Sequence, residues 1–120
     1  MEYKLTHDEP VTEEEALALA AQMGLHGLAF TVKTQQDEEL HWHEFSAVTW
    51  VISGTGALMN QDGERIEVGP GCRLDAPAGY LHRGLAGEPY RVVIGTDLPF
   101  EAWTKPVDKP PSELPAELAS

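Results

Sequence analysis

The chain has a single cysteine, Cys72, among 120 residues. One thiol cannot close an internal disulfide, so a reducing compartment is expected and Cys72 reads as a small buried hydrophobe. Cations are scarce too: 8 Lys and Arg stand against 20 Asp and Glu, a formal net charge of −12. That balance excludes the basic stripe of a nucleic-acid binder, and an anionic membrane would repel such a surface. No run of about eighteen apolar residues is present to span a bilayer. The opening stretch, Met1 to Glu9, has no apolar core of a signal peptide, so a cytoplasmic protein is expected. Aromatic residues reach only 8%, but apolar residues reach 42%. In a chain of this length that suffices for one hydrophobic core and not for two.

The local patterns are better defined. Thr12 and Glu15 have the T-x-x-E spacing of a capping box, and three glutamates sit where a helix dipole favours anions. Ala16, Leu17, Leu19, Ala20 and Met23 supply an apolar stripe that Gly24 ends. Thr12 to Met23 is therefore predicted to be a helix on the outside of the main body. From Leu28 onward, short β-prone runs alternate with turns: Leu28 to Thr34, Leu40 to Ile52 as one strand or two, Ala57 to Gln61, Glu64 to Val68, Cys72 to Ala76, Leu81 to Leu85 and Tyr90 to Thr96. Asp62-Gly63 reads as a hairpin turn. Many short strands with regular turn signals predict an all-β sandwich or small barrel. Pro106, Pro110, Pro111 and Pro115 follow Trp103, a density that resists regular structure. That tail is expected to be an extended arm or a frayed end. The chain thus divides into an N-terminal extension with the helix (1–27), a barrel (28–103) and a Pro-rich tail (104–120), one domain overall.

The strongest chemical signal is the pair His41 and His43, with His82 arriving from a later strand. Strand side chains alternate faces, so an H-x-H pair points both imidazoles the same way, and a third from another strand could close a metal site. Three imidazoles suit zinc, copper, iron or nickel, and open positions give such a set the form of a catalytic site. Tyr80, two residues before His82, is a candidate hydrogen-bond or proton donor near that point. Trp50 and Arg91 are candidates for a substrate pocket, one for its area and the other for a bidentate grip on a carboxylate. Asp75 is a candidate ion-pair partner for Arg73 or Arg83, and His7 and His26 read as incidental.

These residues resemble the cupin family. Its first motif runs G-x5-H-x-H-x3-4-E-x6-G, and His41-Trp42-His43 with Gly54 follows it; its second runs G-x5-P-x-G-x2-H-x3-N, and Gly71, Pro77, Gly79 and His82 match it. The resemblance implies a double-stranded β-helix, a jelly-roll barrel, holding one divalent transition metal. It further implies His41, His43 and His82 as ligands and a homodimer. Three positions depart from the pattern: Ala47 stands where the glutamate ligand belongs, Ala86 where the asparagine belongs, and Gln35 where the leading glycine belongs. Glu44 could replace the lost carboxylate only through a bulge that turned it inward. A three-histidine centre resembles that of the thiol dioxygenases. The implied function is a small metalloenzyme, an oxygenase foremost, acting on a small polar or anionic molecule. The alternative is a non-catalytic small-molecule-binding module, which the alanine at 47 favours.

Overall fold

The computed structural model describes residues 3–118, so residues 1–2 and 119–120 of the predicted end segments lie outside it. Eight strands are formed among the described residues: β1 (Lys4–His7), β2 (His26–Val32), β3 (Ala47–Ser53), β4 (Gly56–Asn60), β5 (Arg65–Val68), β6 (Cys72–Ala76), β7 (His82–Gly84) and β8 (Tyr90–Thr96). They make two antiparallel sheets, one in the order β1-β6-β3-β8-β2 and the other β5-β4-β7. This is the predicted all-β jelly roll with one short helix and an irregular tail. No helix among the described residues is long and apolar enough to cross a membrane.

Helix α1 (Glu13–Gln22) starts as its sequence requires. Thr12 Oγ1 accepts from the Glu15 N–H at 3.1 Å, and Glu15 Oε1 accepts from the Thr12 N–H at 2.9 Å. Two orphan amides of the first turn are thereby satisfied. The helix buries Ala16 and Ala20 against Val48, Trp50 and Val93 on the outer face of the large sheet. Small residues at these positions let helix and sheet approach closely.

Alternation along β3 decides which residues reach the interior. Val48 and Trp50 meet the helix. Val51 joins Ile66, Val68, Cys72 and Val92 in a core shared by both sheets. Ala47 and Thr49 face a cavity between the sheets. The expected role of Cys72 as a small buried hydrophobe is met.

Three features differ from the sequence reading. β1 is an additional edge strand, paired with β6 from Lys4↔Asp75 to His7↔Cys72; four residues are too few to show a period. The run from Leu40 to Ile52 is neither one strand nor two. It forms isolated bridges at His41 and Trp42, bends at Glu44 and Phe45, and becomes a strand only at Ala47. The proline-rich tail is irregular, with a 3-10 turn at Pro111–Glu113. It is also anchored: Trp42 and Lys109 exchange backbone hydrogen bonds at 3.0 Å each, and the Trp42 indole donates to the Pro110 carbonyl at 2.8 Å.

Candidate metal centre

Two segments build the centre. The first carries His41 and His43 just before the bend. The second leaves β6 at Pro77 and turns back through Gly79, whose φ of 86° is left-handed. The Tyr80 N–H closes this turn on the Pro77 carbonyl at 3.2 Å. Glycine takes that conformation without steric cost, which accounts for the motif's glycine. The turn delivers Tyr80 to the cavity wall and His82 to a position opposite His41.

The three rings converge. Their centroids lie 4.5 Å (His41–His82), 5.1 Å (His41–His43) and 5.0 Å (His43–His82) apart. One nitrogen from each lies within 4.8 Å of the others. Each Nδ1 is held by a backbone carbonyl: that of His41 by Glu39 at 2.8 Å, of His43 by Val107 at 3.1 Å, and of His82 by Tyr80 at 2.9 Å. A carbonyl oxygen can only accept, so each Nδ1 carries the proton and each Nε2 keeps its lone pair. That is the tautomer a metal ligand needs. Burial, and then the neighbouring His43, push the His82 pKa from its usual 6.5 down to about 4. Burial also lowers that of His43. Both rings therefore stay neutral through the physiological range. The donor set fits a divalent transition ion, with His41, His43 and His82 able to hold it.

The cavity in front of the rings measures about 470 Å³. Phe45, Phe30, Leu58, Val92, Ile94 and Trp103 supply much of its wall. The His43 ring stacks on Phe45 at 5.0 Å, and Phe45 on Trp103 at 4.4 Å. The walls are thus largely apolar, and the imidazoles, with Glu38 and Asp108 near them, form the polar patch.

The remaining candidates fall on both sides of this wall. Ala47 lines the cavity but brings only a methyl group. Glu44 does not reach the rings. Its Oε2 accepts from the Thr104 N–H at 2.6 Å and the Thr104 hydroxyl at 2.8 Å, and the first of these bonds keeps its carboxyl below the usual range. No bulge turns it inward, so it clamps the tail instead. The Tyr80 ring lines the cavity and stacks on His82 at 5.5 Å. Its hydroxyl is buried without a hydrogen-bond partner, and burial raises its pKa. Tyr3, Asn60, Glu64 and Asp62 are the groups near enough to influence that hydroxyl, not the histidines.

Trp50 and Arg91 require correction, since neither lines the cavity. Trp50 lies on the opposite face of β3, under α1, with the Arg73 guanidinium 5.6 Å from its ring centre. Arg91 donates to Glu13 at 2.8 Å and to Thr31 at 3.1 Å, tying the helix start to the sheet. Asp75 pairs with Arg73, at 2.8 and 2.9 Å.

One neighbour of the rings had no signal in the sequence. Asp108, in the tail, places Oδ1 3.7 Å from His41 Nε2 and 3.6 Å from His43 Nδ1. It is remote in sequence from His41 and His43, in a segment with no periodicity, and only the folded path of the tail brings it near.

Comparison with known proteins gives a consistent answer. No curated protein matches the sequence. Among solved structures, a DUF861 family protein from Thermotoga maritima is similar with a TM-score of 0.57, 17% identity, and coverage of 79% of this chain and 99% of its own. Acireductone dioxygenase from Bacillus anthracis, with a cadmium ion in its active centre, gives a TM-score of 0.52 at 17% identity, over 88% of this chain and 80% of its own. The polyketide cyclase RemF from Streptomyces resistomycificus gives 0.51 at 25% identity, over 72% and 64%. These likenesses share the fold. The family described as the Cupin domain matches residues 28–95, more than half of the chain. With that match, the jelly-roll sheets and the three converging histidines, the chain belongs to the cupin family.

Proposed function

We propose that this cupin binds one divalent transition metal through His41, His43 and His82 and acts there on a small molecule. The observation that carries the reading is the set of three inward nitrogens within 4.8 Å, each ring held by a carbonyl on its far side. Rings held in this way need little ordering when an ion arrives. Zinc, iron, nickel and copper all suit imidazole. Such an ion supplies Lewis acidity or, if it is iron, dioxygen chemistry.

The chain's own residues define the rest. The apolar walls exclude water and accept the hydrocarbon part of a ligand, while an anionic or polar group of that ligand faces the histidines. Tyr80 contributes the face of its ring, packed on His82, in place of the proton donor expected from the sequence. Oxygenation is the reaction favoured, on the resemblance of a three-histidine set to the thiol dioxygenases; the fold hosts other chemistries as well. The unpaired edge of β2 in the large sheet supports a homodimer, a claim that a monomer mass by light scattering would remove.

A second reading, a binding module without catalysis, is favoured by the methyl group of Ala47 where a carboxylate ligand was expected. Elemental analysis followed by oxygen uptake with candidate thiols and catechols separates the two. Stoichiometric metal with substrate-dependent oxygen consumption supports the enzyme. Metal-free protein carrying an organic molecule supports the module.

A further inference from the structure

We infer that Asp108 is a fourth metal ligand, a carboxylate delivered by the C-terminal tail to replace the one missing at Ala47. The inference rests on the metal reading above and names a residue from outside both motifs.

Three observations lead to it. Asp108 Oδ1 is 3.7 Å from His41 Nε2. Two ligands of one ion, each about 2.0–2.2 Å from it, stand about 3.3–3.6 Å apart in a tetrahedral set, so relative to His41 the carboxylate lies close to ligand spacing, while its 3.6 Å approach to His43 is to the far-side Nδ1. Among the described residues it is the only carboxylate within 4.0 Å of a ring nitrogen of the cluster. Glu38, which also lines the cavity, is committed to the Gly84 N–H at 2.8 Å.

The second observation is how the tail is held. The residues on either side of Asp108 are both fastened to the histidine segment. The Val107 carbonyl accepts from His43 Nδ1 at 3.1 Å, and Lys109 exchanges two backbone hydrogen bonds with Trp42 at 3.0 Å. Further along, Glu44 clamps Thr104, and Lys109 Nζ caps the carbonyls of Thr104 and Pro106 at 3.2 and 2.7 Å. The segment that presents His41 and His43 therefore also fixes the position of Asp108.

The third is that the Asp108 carboxylate is uncommitted. Its side chain is 57% exposed, and no hydrogen bond among the described residues holds it. Its neighbours Thr104, Val107 and Lys109 all have partners in the fold, whereas this carboxylate stands ready for a cation. A carboxylate beside three neutral imidazoles would lower the net charge of a bound dication from two to one. It would also make the tail part of the centre.

The test uses the full chain, stripped with a chelator and titrated with Co²⁺, comparing wild type, Asp108→Asn, Asp108→Ala and His82→Ala. The readouts are affinity and the visible d–d spectrum, which reports the donor set independently of catalysis. Asp108 packs against nothing in the core, and the near-ultraviolet circular dichroism of each metal-free variant checks its fold. We expect one Co²⁺ per wild-type chain, none for His82→Ala, and about tenfold or greater weakening with a changed spectrum for both Asp108 variants. A wild-type spectrum in Asp108→Asn and Asp108→Ala overturns the inference, whatever their affinity, and leaves the three-histidine reading intact. If wild type itself takes up no Co²⁺, both fall together.

Discussion

His41 and His82 exchange both of their backbone hydrogen bonds, each N–H donating to the other's carbonyl at 2.9 Å. This is the hydrogen-bonded position of an antiparallel pair, in which side chains stand beside one another on one face. The two motifs are therefore joined at the histidines by main chain, and the imidazoles converge because of that pairing. A side-chain substitution at either position leaves the pairing in place.

That separation of scaffold from ligand makes His82→Ala a clean test of the centre. The backbone bridge does not need the ring, so the barrel should fold, with metal-free stability changed by no more than about 2 kcal/mol. Adding Zn²⁺ should raise the thermal midpoint of wild type by linkage and leave that of the variant unmoved. Elemental analysis and thermal denaturation with and without Zn²⁺ check both. A variant that still carried a full equivalent of metal would show that the ligands lie elsewhere.

The depressed pKa values predict a pH dependence with a definite sign. Folded, His82 titrates near 4, with His43 also lowered; unfolded, both titrate near 6.5. Between those limits the unfolded chain binds more protons than the native one. The contribution of these rings to metal-free stability is therefore full above about pH 6.5. It falls as pH drops toward 4 and levels off below. The loss should be on the order of a few kcal/mol. Urea denaturation with chelator present, run across this range for wild type and His82→Gln, isolates the effect, because the glutamine cannot titrate. Parallel pH profiles for the two proteins would show that His82 is not the group responsible.

How much of this was legible in the sequence follows the range of the interactions. Helix α1 was readable because Thr12, Glu15 and the alanine stripe interact within a few residues of one another. The candidate ligand histidines were readable because the H-x-H spacing on extended backbone and the Pro77–Gly79 turn are also local. The face that Trp50 occupies was not, since both faces of that run mix aromatic, polar and apolar residues. Only the alanines of α1, which create a close-packed outer layer, make the even-numbered side inward-facing too. Arg91 was misjudged for the same reason: its partner Glu13 is remote in sequence and arrives with the helix. Asp108 was the least visible, because an irregular tail has no period to reveal where its backbone hydrogen bonds end.

Two tryptophans now have opposite assignments, and substituting each should separate stability from binding. Trp50 is 5% exposed and packs on Ala16, Ala20, Val48 and Val93, away from the cavity. Truncating it empties a close-packed layer, so Trp50→Ala should cost about 3–5 kcal/mol, read by urea denaturation. Trp103 is half-buried, stacks on Phe45 and forms part of the cavity wall. Its loss should cost less in folding, about 1–2 kcal/mol, but should weaken capture of an uncharged naphthalene dye, whose apolar body matches the largely apolar cavity wall. At a temperature where Trp50→Ala remains folded, its dye affinity should equal that of wild type. If Trp50→Ala lost the dye while keeping its stability, the two faces of β3 would be assigned the wrong way round, and the cavity described above would not be the binding site.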